Sequence, residues 1–491
     1  MKTVKNLLVP FLIFIALCLF AAVYFIVDSV SKNKTSESTD SFFNVLSISP
    51  NDISKLTVKN NETGYTYEIN CRTGESGNVI CEFMGDDYSD SEKYSQSKLL
   101  SAVYTLSTFY SNHKIESAGS LSEFGLDDPK VKISIVKSDE TVNLFLGNKS
   151  PDNQGCFMYV EGSSDVYMVD IAKLSYAQFR GIDFFEALTY DIDFNNVKTV
   201  HFDRKTDGLS LDANVSVGKN GIASFELYSP YVHGTSGYFG SMFDTIAKLV
   251  IDDFVAIDIS QLSEFGLDVP SYHFVFYMTD GGKTEFFFSK PQNGYYYGFV
   301  GNTGKYFRLS EFMLTGLDNA ETVLIDPYIC YCYVKDYKSI SGTYKDKSFK
   351  LDLDVSEGQS IASEEASVTL DGRNAQIVDS YGRSYSSLLF ESIACIKIGG
   401  VEIAEKTKPS TTADLSLTFI DKNYVTTVYE FYPKGTDSYY VFKNGEYMNF
   451  YVFATEIFND GGADTYNYGY WKAYELLNQA ITDNTNGVYD F

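Results

Sequence analysis

Hydrophobic and polar positions along the chain fall into three kinds of run. Segments such as KLTVKN (55–60) and YTYEIN (65–70) alternate apolar and polar at every second residue, the period of a half-buried strand. Fewer segments repeat at 3.6 residues. SQSKLLSAVYTLSTFY (95–110) puts Leu99, Val103, Leu106 and Tyr110 on one face and predicts a helix. The third kind is a single unbroken apolar run, residues 7–27.

The first two kinds recur in a fixed order. In the first pass, the helix candidate at 95–110 is followed by the strand candidates VKISIVK, TVNLFLG, GCFMYVEG and DVYMVD. The second pass opens with VKTVHFDR (197–204) and a helix candidate SMFDTIAKLV (241–250). It continues with SYHFVFYM, KTEFFFS, GYYYGFVG and KYFRLS. The third opens near 340–355, has a helix candidate SYSSLLFESIACI (384–396), and ends in DLSLTFI, VTTVYEFY, SYYVFKNG and MNFYVF. The expected fold class is α+β: three repeated modules at 45–190, 195–320 and 328–460, the third divergent. Each would be an antiparallel sheet with a packed helix. A C-terminal extension, 461–491, carries a short amphipathic helix with Trp471, Tyr474, Leu477 and Ile481, expected to pack on the third module.

One phrase marks the joint between helix and later strands. LSEFGLDDP (121–129) returns as LSEFGLDVP (262–270), while EKTKPSTTA (405–413) stands in its place in the third pass. Ser122 and Ser263 are expected to cap a short helical turn. Gly125 and Gly266 are expected to stop it at positive φ. Leu121, Phe124 and Leu126, and Leu262, Phe265 and Leu267, would plug into the core. Pro129 and Pro270 would direct the chain into the next strand. Glu123, Asp127, Glu264 and Asp268 are assigned to turn amides rather than to chemistry.

The phrase, followed by LFLG, FMYVEG and VYMV, resembles the bacterial family known as domain of unknown function 4340, DUF4340. The likeness is good over 95–185, fair over 240–315 and weak over 385–460. It implies a membrane-anchored protein, often encoded beside subunits of ABC-type export systems. The family has no established activity, so it assigns no functional residues.

As a helix the run at 7–27 would reach about 32 Å, close to the roughly 30 Å hydrocarbon core of a bilayer. It reads as an uncleaved transmembrane anchor rather than a cleaved signal. Leu17 disfavours lipid attachment at Cys18. Lys2 and Lys5 favour a cytoplasmic N-terminus in the cell membrane, with the bulk of the chain extracytoplasmic. The polar stretch 28–44 reads as a flexible stalk.

A net charge of −26 sets the surface against nucleic acid and anionic polymers. Beyond Cys18 there are six cysteines. Cys71 and Cys81 flank a turn-like stretch and are candidates to face each other across a hairpin and to form a disulfide outside the cell. Cys330 and Cys332 read as one face of a core strand. The Walker A loop, HExxH, CxxC and GxSxG patterns are missing from the sequence. His113, His201, His233 and His273 show no metal-ligand pair at helical spacing. YVHGTSGYFG (231–240) reads as a glycine-rich turn, and the acidic pairs in DID (191–193), IDD (251–253) and DLD (352–354) as chance features of an acid-rich chain. In GYYYGFV (294–300), Tyr295 and Tyr297 share one face and Tyr296 the other.

No catalytic, cofactor or metal residue is therefore assigned. The expectation is a non-enzymatic, extracytoplasmic, membrane-anchored scaffold or accessory component of an ABC-type transport assembly, with transporter subunits as partners. The alternative is a cell-surface glycan- or peptide-binding protein that uses its aromatic-rich strands.

Overall fold

The computed structural model describes residues 43–483, apart from residues 91, 112, 117, 139, 152, 302, 463 and 464. The described residues divide into two compact units, one up to Ala187 and one from Leu188 onward. The first holds an eight-stranded antiparallel sheet. The second holds two nine-stranded antiparallel sheets.

All three sheets share one order of connections. In the first, Ile53–Asn60 pairs on one side with Thr66–Thr73, which pairs with Val79–Gly85. On its other side it pairs with Val131–Lys137, followed outward by Glu140–Lys149, Gly155–Val160, Val166–Asp170 and His113–Ile115. In the second sheet Val197–Arg204 takes the central place, between Leu209–Val217 and Tyr272–Met278. In the third it is Tyr337–Tyr344, between Lys347–Asp354 and Leu415–Asp421. Each central strand has a register shift near its start, at Ile53/Lys55, Val197/Thr199 and Tyr337/Ser339.

The connection between the two halves of each sheet carries its main helix: Gln96–Ser107, Gly237–Ala247 and Tyr385–Ala394. Each begins on a serine whose hydroxyl accepts an otherwise unpaired backbone N–H. Ser95 accepts from Lys98, Ser236 from Tyr238 and Ser384 from Ser387. The first two helices bury one stripe each, Leu99, Val103 and Leu106 in the first and Phe239, Phe243 and Ile246 in the second, whereas the third is buried on most of its surface. The helix Tyr470–Asp483 buries Trp471 and Leu477 in the core of the third sheet, where Trp471 meets Tyr344 and Phe349.

Two expectations are corrected. The fold is predominantly antiparallel β, not α+β. A main helix of 11 residues is about 16 Å long. Nine strands at about 4.8 Å spacing spread over about 38 Å. One helix therefore covers part of a sheet and does not build a second layer. The N-terminal transmembrane helix is the second. Residues 1–42, including the run at 7–27 and most of the stretch 28–44, lie outside the described residues. Among the described residues no helix is long and apolar enough to cross a membrane. The longest of them, Tyr470–Asp483, has 14 residues and reaches about 21 Å. The single-pass topology in the cell membrane thus has no helix to rest on among the described residues. The end of the expected stalk is also ordered: Phe43–Ser47 is a strand paired with Thr108–Ser111.

The repeated phrase has one geometry in both places. Gly125 and Gly266 have φ of 64° and 66°. The amide of Leu126 donates to the carbonyl of Leu121, and that of Leu267 to Leu262, closing the turn five residues back. Leu126 and Leu267 are buried, whereas Leu121, Phe124, Leu262 and Phe265 are half-buried. Phe124 and Phe265 lean on outward rings, Phe157 at 5.0 Å and Tyr297 at 4.8 Å between centroids. The cap of the first copy is Ser120, whose hydroxyl accepts from the Ser122 amide. The expected cap, Ser122, lies two residues later, inside the short helix. In the second copy the short helix begins at Ile259, before the phrase, with Asp258 at its cap position.

Candidate functional site

The outward face of the second sheet gathers the groups most suited to chemistry. The central strand has Val200, Phe202 and Arg204 buried, so His201 and Asp203 project to the other side. Antiparallel pairing then fixes their neighbours. Asp203 lies opposite His273, and His201 opposite Asp212. Val275, opposite His201 on the other flank, lies opposite Glu285 in turn, and His273 opposite Phe287.

These side chains meet. His201 Nδ1 is 2.8 Å from Asp212 Oδ1 and its Nε2 is 3.1 Å from Asp203 Oδ2. His273 Nδ1 is 3.9 Å from the same Asp203 oxygen, and its Nε2 is 3.3 Å from Glu285 Oε1. That last contact is off the line of a hydrogen bond, and His273 Nε2 is buried without another partner. Lys283 lies 2.8 Å from Glu285, and Lys205 3.7 Å from Asp203. His201, Asp203 and His273 offer nitrogen and oxygen atoms that all fall within 4.8 Å of one another.

Burial, reinforced by the neighbouring His201, pushes the His273 imidazole below its ordinary value. For Asp203, burial acts upward, but the Ser210 hydroxyl, His201 and Lys205 outweigh it and hold the carboxyl down. Glu285 behaves alike: burial acts upward and is outweighed by Lys283 and His273.

Aromatic rings continue the site across the sheet. His273 stacks on Phe287 with centroids 4.2 Å apart and planes 8° apart. Phe287 stacks on Phe299 at 4.6 Å, and Phe299 meets Tyr306 edge-on at 5.9 Å. Beside them Arg308 lies over the Tyr295 ring at 4.7 Å. Tyr295 and Tyr297 share this face and are half-buried, while Tyr296 points inward and is buried, the alternation expected from the sequence.

The residues that sequence reading weighed for chemistry have structural partners instead. Ser236 is the helix cap described above. His233 Nε2 lies 2.9 Å from the Asp326 carbonyl, and burial lowers its basicity. Asp193 caps a short helix through the Asn195 amide, Asp253 pairs with Arg308 at 2.6 Å, and Asp352 with Lys350 at 2.6 Å. Cys330 is buried and donates to the Ile393 carbonyl, but residues 330–333 form no strand, so the reading of one strand face is corrected. Cys71 and Cys81 face each other across paired strands with sulfurs 3.8 Å apart, as unbonded thiols. The His201–Asp203–His273 cluster was missed because helical spacing was sought. The available signal was HFD (201–203), whose first and third residues share one face of a strand.

Residues 92–219 match the model of a family described as Domain of unknown function (DUF4340), in agreement with the resemblance seen in the phrase. The fainter likeness over 240–315 and 385–460 falls outside the matched residues. No curated protein and no solved structure matches the chain.

Proposed function

We propose that the chain is a non-enzymatic interaction protein, a scaffold or accessory component of an ABC-type transport assembly. The observation that carries this reading is the outward face of the second sheet. Phe287, Phe299 and Tyr306 form a contiguous half-exposed row there, on strands whose opposite face is core. Aromatic side chains bring large contact area at little entropic cost and are enriched at the centres of protein interfaces. A sheet fixed by its buried face presents such a row preorganised, which lowers the cost of binding. The transport context comes from the family resemblance alone.

An affinity-tagged full-length chain, retrieved under gentle conditions, should bring down ABC-type transporter subunits in preference to abundant unrelated proteins. A Phe287→Ser, Phe299→Ser double variant should lose them. Equal retrieval by both proteins would remove the ring row from the interface, and no enrichment of transporter subunits would end the reading. The same row favours one rival, a glycan- or peptide-binding face, because half-exposed rings stack on sugars and side chains. Binding to defined members of a glycan or peptide array, lost in the same double variant, would establish it.

A further inference from the structure

We propose that His201, Asp203 and His273 bind one divalent first-row transition metal ion, of the zinc type, on the outward face of the second sheet. The inference is independent of the interaction reading. Two imidazoles and a carboxylate make a donor set that suits zinc and its neighbours rather than magnesium or calcium, which take oxygen ligands. The three donor atoms lie within 4.8 Å of one another, and a small inward movement of the His273 ring would bring them to bonding distance of one ion. A tetrahedral ion with bonds of about 2.0 Å has ligand–ligand edges of about 3.3 Å. The two contacts to Asp203 Oδ2, at 3.1 and 3.9 Å, bracket that edge.

The surroundings orient the donors. A metal-binding histidine characteristically gives its second nitrogen to a carboxylate. Asp212 stands in this way at the outer nitrogen of His201, 2.8 Å away; Glu285 lies 3.3 Å from the outer nitrogen of His273, within reach of it but out of line for a hydrogen bond. In the tautomers that carry N–H on the outer nitrogens, His201 Nε2 and His273 Nδ1 offer their lone pairs on the side of Asp203 Oδ2. A cation among these three donor atoms would offset their mutual repulsion. A doubly protonated His201 held by Asp203 and Asp212 is the competing account. It leaves the inner nitrogen of His273 facing the same Asp203 oxygen at 3.9 Å, too far for a hydrogen bond. The charge fits as well. Three carboxylates with Lys205 and Lys283 leave one excess negative charge beside the ion. Access is open, since His201, Asp203 and His273 keep 18, 20 and 21% of their side-chain surface exposed. Three protein ligands also leave a coordination position for water or a partner's donor.

The test uses the full-length chain, stripped with chelator and dialysed. Zinc titrated by calorimetry should bind at one equivalent with a Kd of about micromolar or tighter. Cobalt should give the intense visible bands of a low-symmetry, four-coordinate site. His201→Ala, His273→Ala and Asp203→Asn should each weaken binding at least about tenfold, and Asp212→Asn by about tenfold through loss of orientation. His113→Ala, in the first unit, should bind as the wild type does. Zinc should raise the Tm of the wild type and not of a His201→Gln, His273→Gln double variant, whose circular dichroism shows whether it is folded. Absence of saturable zinc binding would overturn the proposal. So would binding of unchanged affinity in that double variant.

Discussion

The outward faces of the first and second sheets use the same backbone positions for different chemistry. Where the second sheet pairs Asp203 with His273, the first pairs Lys59 with Lys132 and the third pairs Thr343 with Ser416. His201 opposite Asp212 becomes Thr57 opposite Glu68 in the first sheet and Ser341 opposite Lys350 in the third. The ring stack is retained in the first sheet: Phe145 lies on Tyr159 at 4.9 Å, as Phe287 lies on Phe299, with Lys132 over Phe145 at 5.5 Å where His273 lies over Phe287. The buried face is conserved in kind, since Leu56 and Val58 answer to Val200 and Phe202. A shared scaffold thus fixes where side chains stand, and the outward alternate positions are free to differ because packing does not constrain them.

The inward faces differ too, in size. Phe243 and Phe239 fill the space under the second sheet, where the first uses Leu99, Val103 and Leu106. Phe243→Ala should therefore give the largest loss, about 3–5 kcal/mol, with Val103→Ala costing less because fewer atoms leave the core. Denaturant unfolding followed by hydrogen exchange in each sheet would measure both. Equal losses would mean that the two helices carry equal shares of their cores.

The next largest effect tests the joint. A Cβ at Gly147 would lie 2.3 Å from the carbonyl oxygen of Phe124 in the phrase. Ser289 occupies the matching place in the second sheet, buried, with its hydroxyl donating to the Lys290 carbonyl and accepting from the Tyr297 amide. Exchanging them should hurt in both directions. Gly147→Ser should destabilise by about 1–3 kcal/mol through overpacking, and Ser289→Gly by about 1 kcal/mol through lost hydrogen bonds. Gly125→Val should cost about 1–3 kcal/mol because a β-branched residue is strained at φ 64°. Thermal unfolding of each variant checks these values, and a neutral Gly147→Ser would show that the phrase can move away from its strand.

A transplant sharpens the comparison of outward faces. Thr57→His, Lys59→Asp and Lys132→His would copy the donor set onto the first sheet, where Glu68 already stands for Asp212. Stability should change by less than about 1 kcal/mol, since all three positions lie outside the core. Bound zinc should rise from one to two per chain. The smallest effect is expected at Lys132→Ala, which removes the cation over Phe145 and should cost about 0.5 kcal/mol. A larger loss would mean that Lys132 does more than lie over the ring.

The amino-acid sequence alone determined what depends on near neighbours. The helix candidates at 95–110, 241–250 and 384–396 fall on helices at Gln96–Ser107, Gly237–Ala247 and Tyr385–Ala394, because an apolar stripe at 3.6 residues needs a single buried surface. The second begins four residues earlier than its candidate, where Ser236 caps it. Positive φ at Gly125 and Gly266, and the opposite faces of Tyr295 and Tyr296, also follow from spans of a few residues. The balance of helix and sheet did not, because it depends on how much sheet one helix can cover. Nor did the cluster on the second sheet. His201 and His273 are 72 positions apart, and only the antiparallel register brings Asp203 opposite His273. A slip of one residue would turn Asp203 into the core and Arg204 outward. That register is set by long-range strand pairing and by the register shift at Val197/Thr199, so the tertiary structure decided which polar side chains meet.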